Sequence, residues 1–160
     1  EYSMNRRKFI KKTALATTAS FLPSSLFAIS SNKLQVGIIG TGLRGQWMTK
    51  LLLDRSDVDI PVICDIDEKM IDMVLNVFET QGRPKPKVYN DGPEDFRNMV
   101  SNEDLDGVYI ATPWEWHHPM AIAAMQNGCN VGTEVPAALT VDECWDLVNT
   151  SPAKRKSISA

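Results

Sequence analysis

The sequence predicts an α/β fold in which a mostly parallel β-sheet is covered by helices on both faces. Short runs rich in β-branched residues alternate along the chain with stretches of helical apolar spacing. A glycine-rich turn, residues 40–45, follows the first such run and precedes the first helical stretch. The length of 160 residues is enough for one domain with a substantial core.

The first predicted strand and helix flank the glycine-rich turn. Leu34–Ile39 is an apolar run, and a helix is predicted over 46–54. In a dinucleotide-binding turn the first glycine permits the tight bend, the second lets the backbone approach a pyrophosphate, and the third lets helix and strand pack closely. The free N–H groups at the helix start then favour phosphate. We therefore predict a Rossmann-like, doubly wound domain that binds its cofactor through Gly40, Gly42 and Gly45. A tight turn without a ligand is the alternative.

The second predicted strand, Val58–Asp65, ends in an acid that lies 20 positions after Gly45. A carboxylate at this place accepts hydrogen bonds from an adenosine ribose and repels a 2′-phosphate, so the sequence favours NAD over NADP. An ordinary strand-end acid or a helix cap is the alternative reading of Asp65. Arg44 leaves a further choice open, because its guanidinium could lie on the pyrophosphate or on a 2′-phosphate.

The remaining elements continue the alternation of strands and helices. Apolar spacing, glycine and proline positions and one capping-box pattern, Thr140 with Glu143, set their bounds. In chain order, we predict a helix over Glu68–Thr80, a strand over Lys87–Tyr89, a helix from Pro93 to Val100, a strand over Val108–Thr112, a helix over Pro119–Gln126, a strand over Asn130–Thr133 and a last helix to about Val148.

Two loops at the carboxyl ends of predicted strands carry residues suited to chemistry, because ligands of open α/β sheets bind there. The loop Thr112–His118 holds two tryptophans that could pack on a nicotinamide or a sugar ring, and His117 could donate a hydrogen bond or act as an acid or base. Glu134 follows the fifth strand. The alternatives are that the tryptophans only pack, that His118 caps the next helix and that Glu134 is a solvated acid. We find no Ser/His/Asp arrangement and no acid pair typical of direct glycoside hydrolysis.

Charge and cysteine content restrict the class of protein. Residues 1–30 hold five of the 17 basic residues and one of the 20 acidic residues, so the remainder has 12 basic and 19 acidic residues and a net charge of −7. This balance argues against a nucleic-acid-binding surface, which would be basic. The cysteines, Cys64, Cys129 and Cys144, have no metal-binding spacing, and we predict neither a metal site nor a disulfide framework.

The first thirty residues are typical of a leader. Arg6-Arg7-x-Phe9-Ile10-Lys11 resembles a twin-arginine export signal, and a short uncharged stretch interrupted by Pro23 follows it. That stretch is too short and too polar for a stable membrane span. We predict a signal peptide over 1–31, cleaved after Ala28 or Ser30, and a periplasmic or cell-surface location. A disordered basic N-terminus is the alternative.

Several motifs together resemble the glucose–fructose oxidoreductase/inositol dehydrogenase-type family over roughly 33–149. They are Gly40-Thr41-Gly42, Asp65, the loop Thr112-Pro113…His117, the run Ala121–Met125 and Glu134-x-Pro136. Most such dehydrogenases have Glu-Lys-Pro where this chain has Glu134-Val135-Pro136, and their lysine assists proton transfer. The Thr-Pro-Trp-x-Trp-His loop, the Glu-Val-Pro turn and the helix around Trp145 are more similar to glycoside hydrolase family 109, the NAD-dependent α-N-acetylgalactosaminidases.

This resemblance implies NAD as the cofactor and terminal α-linked N-acetylgalactosamine glycans as substrates. In the family mechanism, C3 of the sugar is oxidised, the C2 proton is lost, the anomeric substituent is expelled, water adds and C3 is reduced again. A sugar or inositol dehydrogenase and a non-catalytic nucleotide-binding remnant are the alternatives. The resemblance also allows the full-length protein to form an oligomer. The residues that the resemblance places at the cofactor are Leu43, Arg44, Asp65, Trp114, Glu115, Trp116, His117, Glu134 and Val135.

The predicted organisation is a signal peptide over 1–31, an NAD-binding domain over 32–150 and a basic tail over 151–160 that does not resemble the family. Family members continue with an α+β substrate domain, which is expected to be absent here. A truncated or frameshifted gene is the simplest account. We therefore expect this chain to bind NAD without hydrolysing a glycoside. We also expect poor solubility, because an incomplete sheet exposes an edge and apolar surface.

Overall fold

The structure is a computed structural model that describes residues 33–151. The predicted signal peptide and the tail beyond Ser151 lie outside the described residues. Within the described range, five strands and five helices alternate. The strands are β1 (Leu34–Ile39), β2 (Val58–Cys64), β3 (Lys87–Tyr89), β4 (Gly107–Ile110) and β5 (Asn130–Thr133). The helices are α1 (Leu43–Leu53), α2 (Glu68–Thr80), α3 (Asp95–Asn102), α4 (Trp114–Gln126) and α5 (Val141–Thr150).

The five strands form one parallel sheet in the order β3-β2-β1-β4-β5. The chain moves outward from β1 through β2 to β3 and then returns to the other side of β1 for β4. This reversal places a crevice at the carboxyl ends of β1 and β4, which is where ligands of doubly wound sheets bind. The predicted Rossmann-like α/β fold is confirmed.

The core has two parts, one on each face of the sheet. Neighbouring residues of β1 show the division, because Ile38 packs with side chains of α1 and α2 whereas Ile39 packs with side chains of α3 and α4. Both isoleucines are buried, as are Phe78 on the first face and Phe96 on the second. Each such side chain contributes about 1.5–3 kcal/mol through burial. Leu147 of α5 packs against the second part.

Most element bounds agree with the sequence-based predictions, but α4 does not. We predicted a loop over Thr112–His118 and a helix that begins at Pro119. In the structure the helix begins at Trp114 and Pro119 lies inside it. Pro113 is the residue before the first turn, with φ −57°, and its carbonyl oxygen accepts the Trp116 N–H at 3.0 Å. Proline is favoured at the start of a helix, and the proline found there is Pro113, which immediately precedes α4, rather than Pro119. His118 consequently does not cap the helix.

Smaller differences occur at other ends. α1 begins three residues before the predicted start, α3 begins at Asp95 rather than at Pro93, and β4 ends at Ile110. The capping box of Thr140 and Glu143 is present: the Thr140 hydroxyl accepts the Glu143 N–H at 3.2 Å and the Glu143 carboxylate accepts the Thr140 N–H at 3.1 Å. No helix within residues 33–151 is both long enough and apolar enough to cross a membrane.

Candidate functional site: a cofactor cleft at the switch point of the sheet

A cleft of about 340 Å³ opens at the carboxyl ends of β1, β2 and β4. It combines backbone of the glycine turn with apolar side chains and two carboxylates. The lining residues are Ile39, Gly40, Gly42, Cys64, Asp65, Ile66, Asp67, Met70, Gly92, Pro93, Ala111, Thr112, Pro113, Trp116 and Met120. A mostly apolar cleft with a few polar groups is typical of a cofactor site.

The three glycines of the turn differ in what requires them. A Cβ on Gly40, whose φ is +88°, would lie 2.7 Å from the Ala111 backbone, and a Cβ on Gly45 would lie 1.9 Å from the Gly40 carbonyl oxygen. The fold itself therefore requires these two glycines. A Cβ on Gly42 would meet no atom within 4 Å, so packing inside the chain does not require that glycine. The open space beside Gly42 fits the close approach of a pyrophosphate. The glycine turn therefore has the geometry needed to bind a dinucleotide.

The start of α1 adds favourable electrostatics. Gly42 precedes the helix and supplies no side-chain cap, and the first turn contains no acid. The first N–H groups of a helix lack partners within the helix and carry the positive end of its dipole. Together with Gly42, this helix start is suited to bind the phosphates of a dinucleotide.

Asp65 follows β2 and is tied to the glycine turn. Its Oδ2 accepts the Thr41 backbone N–H at 2.5 Å and the Thr41 hydroxyl at 2.9 Å. Its Oδ1 accepts the Asp67 N–H at 2.9 Å. Asp65 lines the cleft, and its carboxylate is fixed by three donors of the chain. Asp67 is the residue that caps α2, through the N–H groups of Lys69 and Met70.

Arg44 and Glu134 join the two sides of the site. The Arg44 guanidinium donates from Nε and Nη2 to the two carboxylate oxygens of Glu134, each at 3.2 Å. Glu134 also accepts a short hydrogen bond from the Tyr109 hydroxyl. That hydrogen bond, and after it the one from Arg44, hold the pKa of Glu134 below its usual range. Burial and the bond to Glu134 raise the pKa of Tyr109 to about 12.

Glu134 is thus not a solvated loop acid. Its side chain is about one-fifth exposed and belongs to a bridge from β4 and β5 to α1. The bridge directs the Arg44 guanidinium toward the β5 side of the site. Trp47, one turn further along α1, packs against the same guanidinium, whose Cζ lies 5.3 Å from the ring centroid.

His117 is fully buried and connects two loops. Its Nδ1 lies 2.7 Å from the Pro136 carbonyl oxygen and its Nε2 lies 2.8 Å from the Thr112 carbonyl oxygen. Carbonyl oxygens only accept, so the ring donates to both only when it carries two protons. His117 is not among the residues that line the cleft. This arrangement supports a structural role for His117 and does not support the predicted role as an acid or base.

The two tryptophans of the predicted loop have different environments. Trp116 lines the cleft and packs edge-on against Phe96, with ring centroids 6.1 Å apart. Trp114 is 61% exposed and does not line the cleft. Three other predicted cofactor residues, Leu43, Glu115 and Val135, are also exposed beside the carboxyl ends of the strands. The structure thus places the predicted residues at one edge of the sheet but brings only part of the set into the cleft.

Sequence reasoning missed Thr41, Tyr109 and Gln46. Thr41 is buried, and its carbonyl oxygen accepts a hydrogen bond of 2.9 Å from the Gln46 amide. The signal that could have pointed to Thr41 is a hydroxyl side chain inside the glycine motif. Tyr109 lies within an apolar strand, and no local pattern distinguishes its hydroxyl from that of a packing tyrosine.

Within residues 33–151, the three cysteines do not form a metal-binding group with other side chains. Cys64 is buried at the wall of the cleft, and burial raises the pKa of its thiol to about 12, so it is protonated at neutral pH. Cys129 is buried just before β5, and Cys144 is exposed on α5. Among residues 33–151, no three His, Cys, Asp or Glu side chains form a cluster that could hold a metal ion.

Comparison with protein families agrees with this geometry. Residues 34–160 match the model of the GFO_IDH_MocA family, described as an oxidoreductase family with an NAD-binding Rossmann fold. Among solved structures, the chain is similar to myo-inositol dehydrogenase from Lactobacillus casei in complex with NAD(H) and myo-inositol, with a TM-score of 0.65 and 22% identity over 78% of this chain and 34% of that chain. At this identity the likeness shows the fold. The predicted NAD-binding Rossmann domain is confirmed.

Two curated relatives are more similar in sequence. A glycosyl hydrolase family 109 protein of Stenotrophomonas maltophilia is 38% identical over 151 residues, and one of Saccharopolyspora erythraea is 45% identical over 123 residues. These alignments cover 93% and 77% of this chain but 33% and 27% of the relatives. The chain therefore spans about a third of the length of the curated relatives that it matches.

Proposed function

Because the chain belongs to the GFO_IDH_MocA oxidoreductase family, we propose that it is the NAD-binding part of an NAD-dependent glycosidase acting on terminal α-linked N-acetylgalactosamine. NAD, when bound, supplies a reversible hydride acceptor. Relatives named glycosyl hydrolase family 109 are 38% and 45% identical to this chain and support this branch of the family. The substrate and the reaction remain proposals, since the chain spans only part of those proteins.

The observation that carries the proposal is a cofactor cradle beside which position 135 lacks the lysine usual in the family's dehydrogenases. Val135, at the position where most dehydrogenases of the family have lysine, is 81% exposed and has no ionisable group. Glu134 is committed to Arg44 and Tyr109, and both ring nitrogens of His117 lie against carbonyl oxygens. Oxidation of an alcohol, whether net or transient, requires a base to take the hydroxyl proton. The described residues therefore favour cofactor binding here with proton transfer supplied from elsewhere.

Each part of the cleft has a proposed task toward the cofactor. The backbone at Gly42 and the start of α1 bind the pyrophosphate, and Asp65 accepts from the adenosine ribose. Trp116 forms part of the wall near the carboxyl end of β4. The bridge from Arg44 to Glu134 orients the glycine turn relative to β5. All these tasks are binding and orientation.

We test the proposal with a chimera. The Stenotrophomonas relative would carry residues 33–151 of this chain in place of its matching segment. We expect release of nitrophenol from an aryl α-N-acetylgalactosaminide, with no net formation of NADH because hydride is returned. We expect the 160-residue chain alone to bind NAD in calorimetry and to release no nitrophenol.

Three results would contradict the proposal. Net NADH formation with a free polyol, without nitrophenol release, would identify a dehydrogenase. Nitrophenol release by the 160-residue chain alone would show that it contains the whole catalytic apparatus. Failure of the chain to bind NAD would remove the cofactor site itself.

We also propose that the protein is exported in folded form, with its nucleotide already bound. The supporting feature is the pair Arg6-Arg7 before a short uncharged stretch, which lies outside the described residues. Residues 1–31 fused to a reporter should direct it to the periplasm of a bacterium with a twin-arginine system. Replacing both arginines by lysine should abolish this transport, and unchanged transport would refute the proposal.

A further inference from the structure

The Asp65 carboxylate owes its orientation mainly to one neighbouring residue. Thr41 lies between the first two glycines of the turn and is fully buried. Both of its donors, the backbone N–H at 2.5 Å and the hydroxyl at 2.9 Å, point at Oδ2 of Asp65. Hydrogen bonds to an ionised acceptor are roughly twice as strong as neutral ones, so this pair fixes the carboxylate firmly.

These contacts limit what Asp65 can do for a ligand. A carboxylate has about four acceptor positions. Thr41 uses two of them on Oδ2, and the Asp67 N–H uses one on Oδ1 at 2.9 Å. About one position, on Oδ1, is left for a ribose hydroxyl. The carboxylate therefore presents a single acceptor and a negative charge in a fixed orientation at the wall of the cleft.

The charge of Asp65 is not paired with a cationic side chain of the described residues. Within residues 33–151, no lysine or arginine forms an ion pair with Asp65. Arg44, the cation of the glycine turn, is held by Glu134 at the β5 side. A 2′-phosphate brought to the end of β2 would thus face an unscreened carboxylate without an arginine to neutralise it.

We infer that Thr41 is a positioning residue that sets the preference for NAD over NADP by holding the Asp65 carboxylate in place. The inference rests on the proposed place of the adenosine ribose at Asp65. Without the Thr41 hydroxyl, the carboxylate loses one of its three anchors. It can then rotate away from a 2′-phosphate, so discrimination falls even though the negative charge remains.

The test compares Thr41→Ser with Thr41→Ala in the full chain. Both variants lack the γ-methyl group and differ only in the hydroxyl. Dissociation constants for NAD and NADP are measured by calorimetry, and thermal unfolding checks the fold. We expect the NADP-to-NAD ratio of dissociation constants to stay within about twofold of the original in Thr41→Ser and to fall about three- to tenfold in Thr41→Ala. Thr41→Val replaces the hydroxyl by a methyl group of similar volume. If the smaller side chains prevent folding, this variant takes the place of Thr41→Ala, and the same fall in the ratio is expected.

A variant of the acceptor shows whether Thr41 acts through it. Asp65→Asn should lower the ratio by itself, and adding Thr41→Ala to Asp65→Asn should lower it no further. Equal ratios in Thr41→Ser and Thr41→Ala, or a further drop in the double variant, would overturn the inference while leaving NAD binding intact. Absence of binding of either nucleotide by the unaltered chain would instead overturn the cofactor site and the inference with it.

Discussion

At the residue scale, the same amino acid has two different functions in one turn. Gly40 and Gly45 are required by contacts within the chain, whereas a Cβ on Gly42 would meet no atom of residues 33–151 within 4 Å. A glycine that folding does not require, in a turn where the other two are required, indicates a ligand. The sequence motif shows three equivalent glycines, and only the structure separates their tasks.

This difference predicts opposite results for two alanine substitutions. Gly45→Ala should lower the free energy of unfolding by about 2 kcal/mol or more, because its Cβ would overlap the Gly40 carbonyl oxygen. Gly42→Ala should change it by less than about 1 kcal/mol, since a residue before a helix with φ −61° tolerates a side chain. Gly42→Ala should nevertheless weaken NAD binding at least about tenfold, because a methyl group would occupy the space for the pyrophosphate.

Denaturant unfolding and NAD titration on the same preparations check both substitutions. A stable Gly42→Ala variant with unaltered NAD affinity would show that the pyrophosphate lies elsewhere. Unaltered stability of Gly45→Ala would mean that α1 can move away from β1 at little cost.

The acidic member of the bridge predicts a pH dependence of stability. The pKa of Glu134 is lowered in the folded state, chiefly by the Tyr109 hydroxyl and then by Arg44. Its ionised form therefore stabilises the fold at pH values above its ordinary pKa of 4.5, and this contribution is lost as the pH falls through the lower, folded-state pKa. Tyr109→Phe should raise the pKa of Glu134, so the loss should begin at higher pH.

The measurement is the melting temperature between pH 3 and pH 8 for the original chain, Glu134→Gln and Tyr109→Phe. Glu134→Gln should melt slightly lower at neutral pH, and the difference should vanish in acid. Glu79→Gln controls for the loss of one exposed negative charge on α2. A difference that stays constant down to pH 3 would contradict the role assigned to the bridge.

At the element scale, the bounds that were predicted correctly have strong local signals. α2 and β5 lie where expected, because a cap at Asp67 and a glycine at 128 delimit them. The start of α4 was wrong because the chain offers two prolines, Pro113 and Pro119, and both suit a first turn. Hydrogen bonds formed at a distance decide between them: His117 ties the beginning of α4 to the segment after β5. No local pattern could have shown this contact.

The position of His117 predicts a large effect on stability from a residue that was a candidate for catalysis. His117→Ala removes the ring nitrogens that face the Thr112 and Pro136 carbonyl oxygens and leaves a buried space. We expect the free energy of unfolding to fall by about 2–4 kcal/mol. His118→Ala is the matched control, because the polar contact of His118 within residues 33–151 is one of 3.4 Å with the exposed Asp146. Its cost should be below about 1 kcal/mol.

Chemical denaturation of the two histidine variants measures this difference in the free energy of unfolding. Similar stabilities for His117→Ala and His118→Ala would show that the tie between the two loops contributes little. In that case the burial of His117 would need another explanation, and its candidacy as an acid or base would have to be reconsidered.

At the scale of the whole molecule, β5 is the last strand of the described sheet on its side, and a groove lies next to it. The groove has a volume of about 590 Å³ between α4, β5 and α5 and is mainly apolar. Its lining residues are Ala121, Met125, Val131, Thr133, Leu147, Val148 and Ser151. A strand edge beside an apolar groove is a site for association between copies, which gives a physical basis for the expected poor solubility.

A charged group in this groove should reduce association of the 160-residue chain. Val148 lines the groove and is 55% exposed, so Val148→Lys can be accommodated without disturbing the core. Val141, on the same helix, is 72% exposed but does not line the groove, so Val141→Lys is the matched control. Sedimentation and light scattering at equal concentration should show less association for Val148→Lys than for Val141→Lys, with similar melting temperatures. Equal association of the two variants would exclude the groove as the surface through which copies associate.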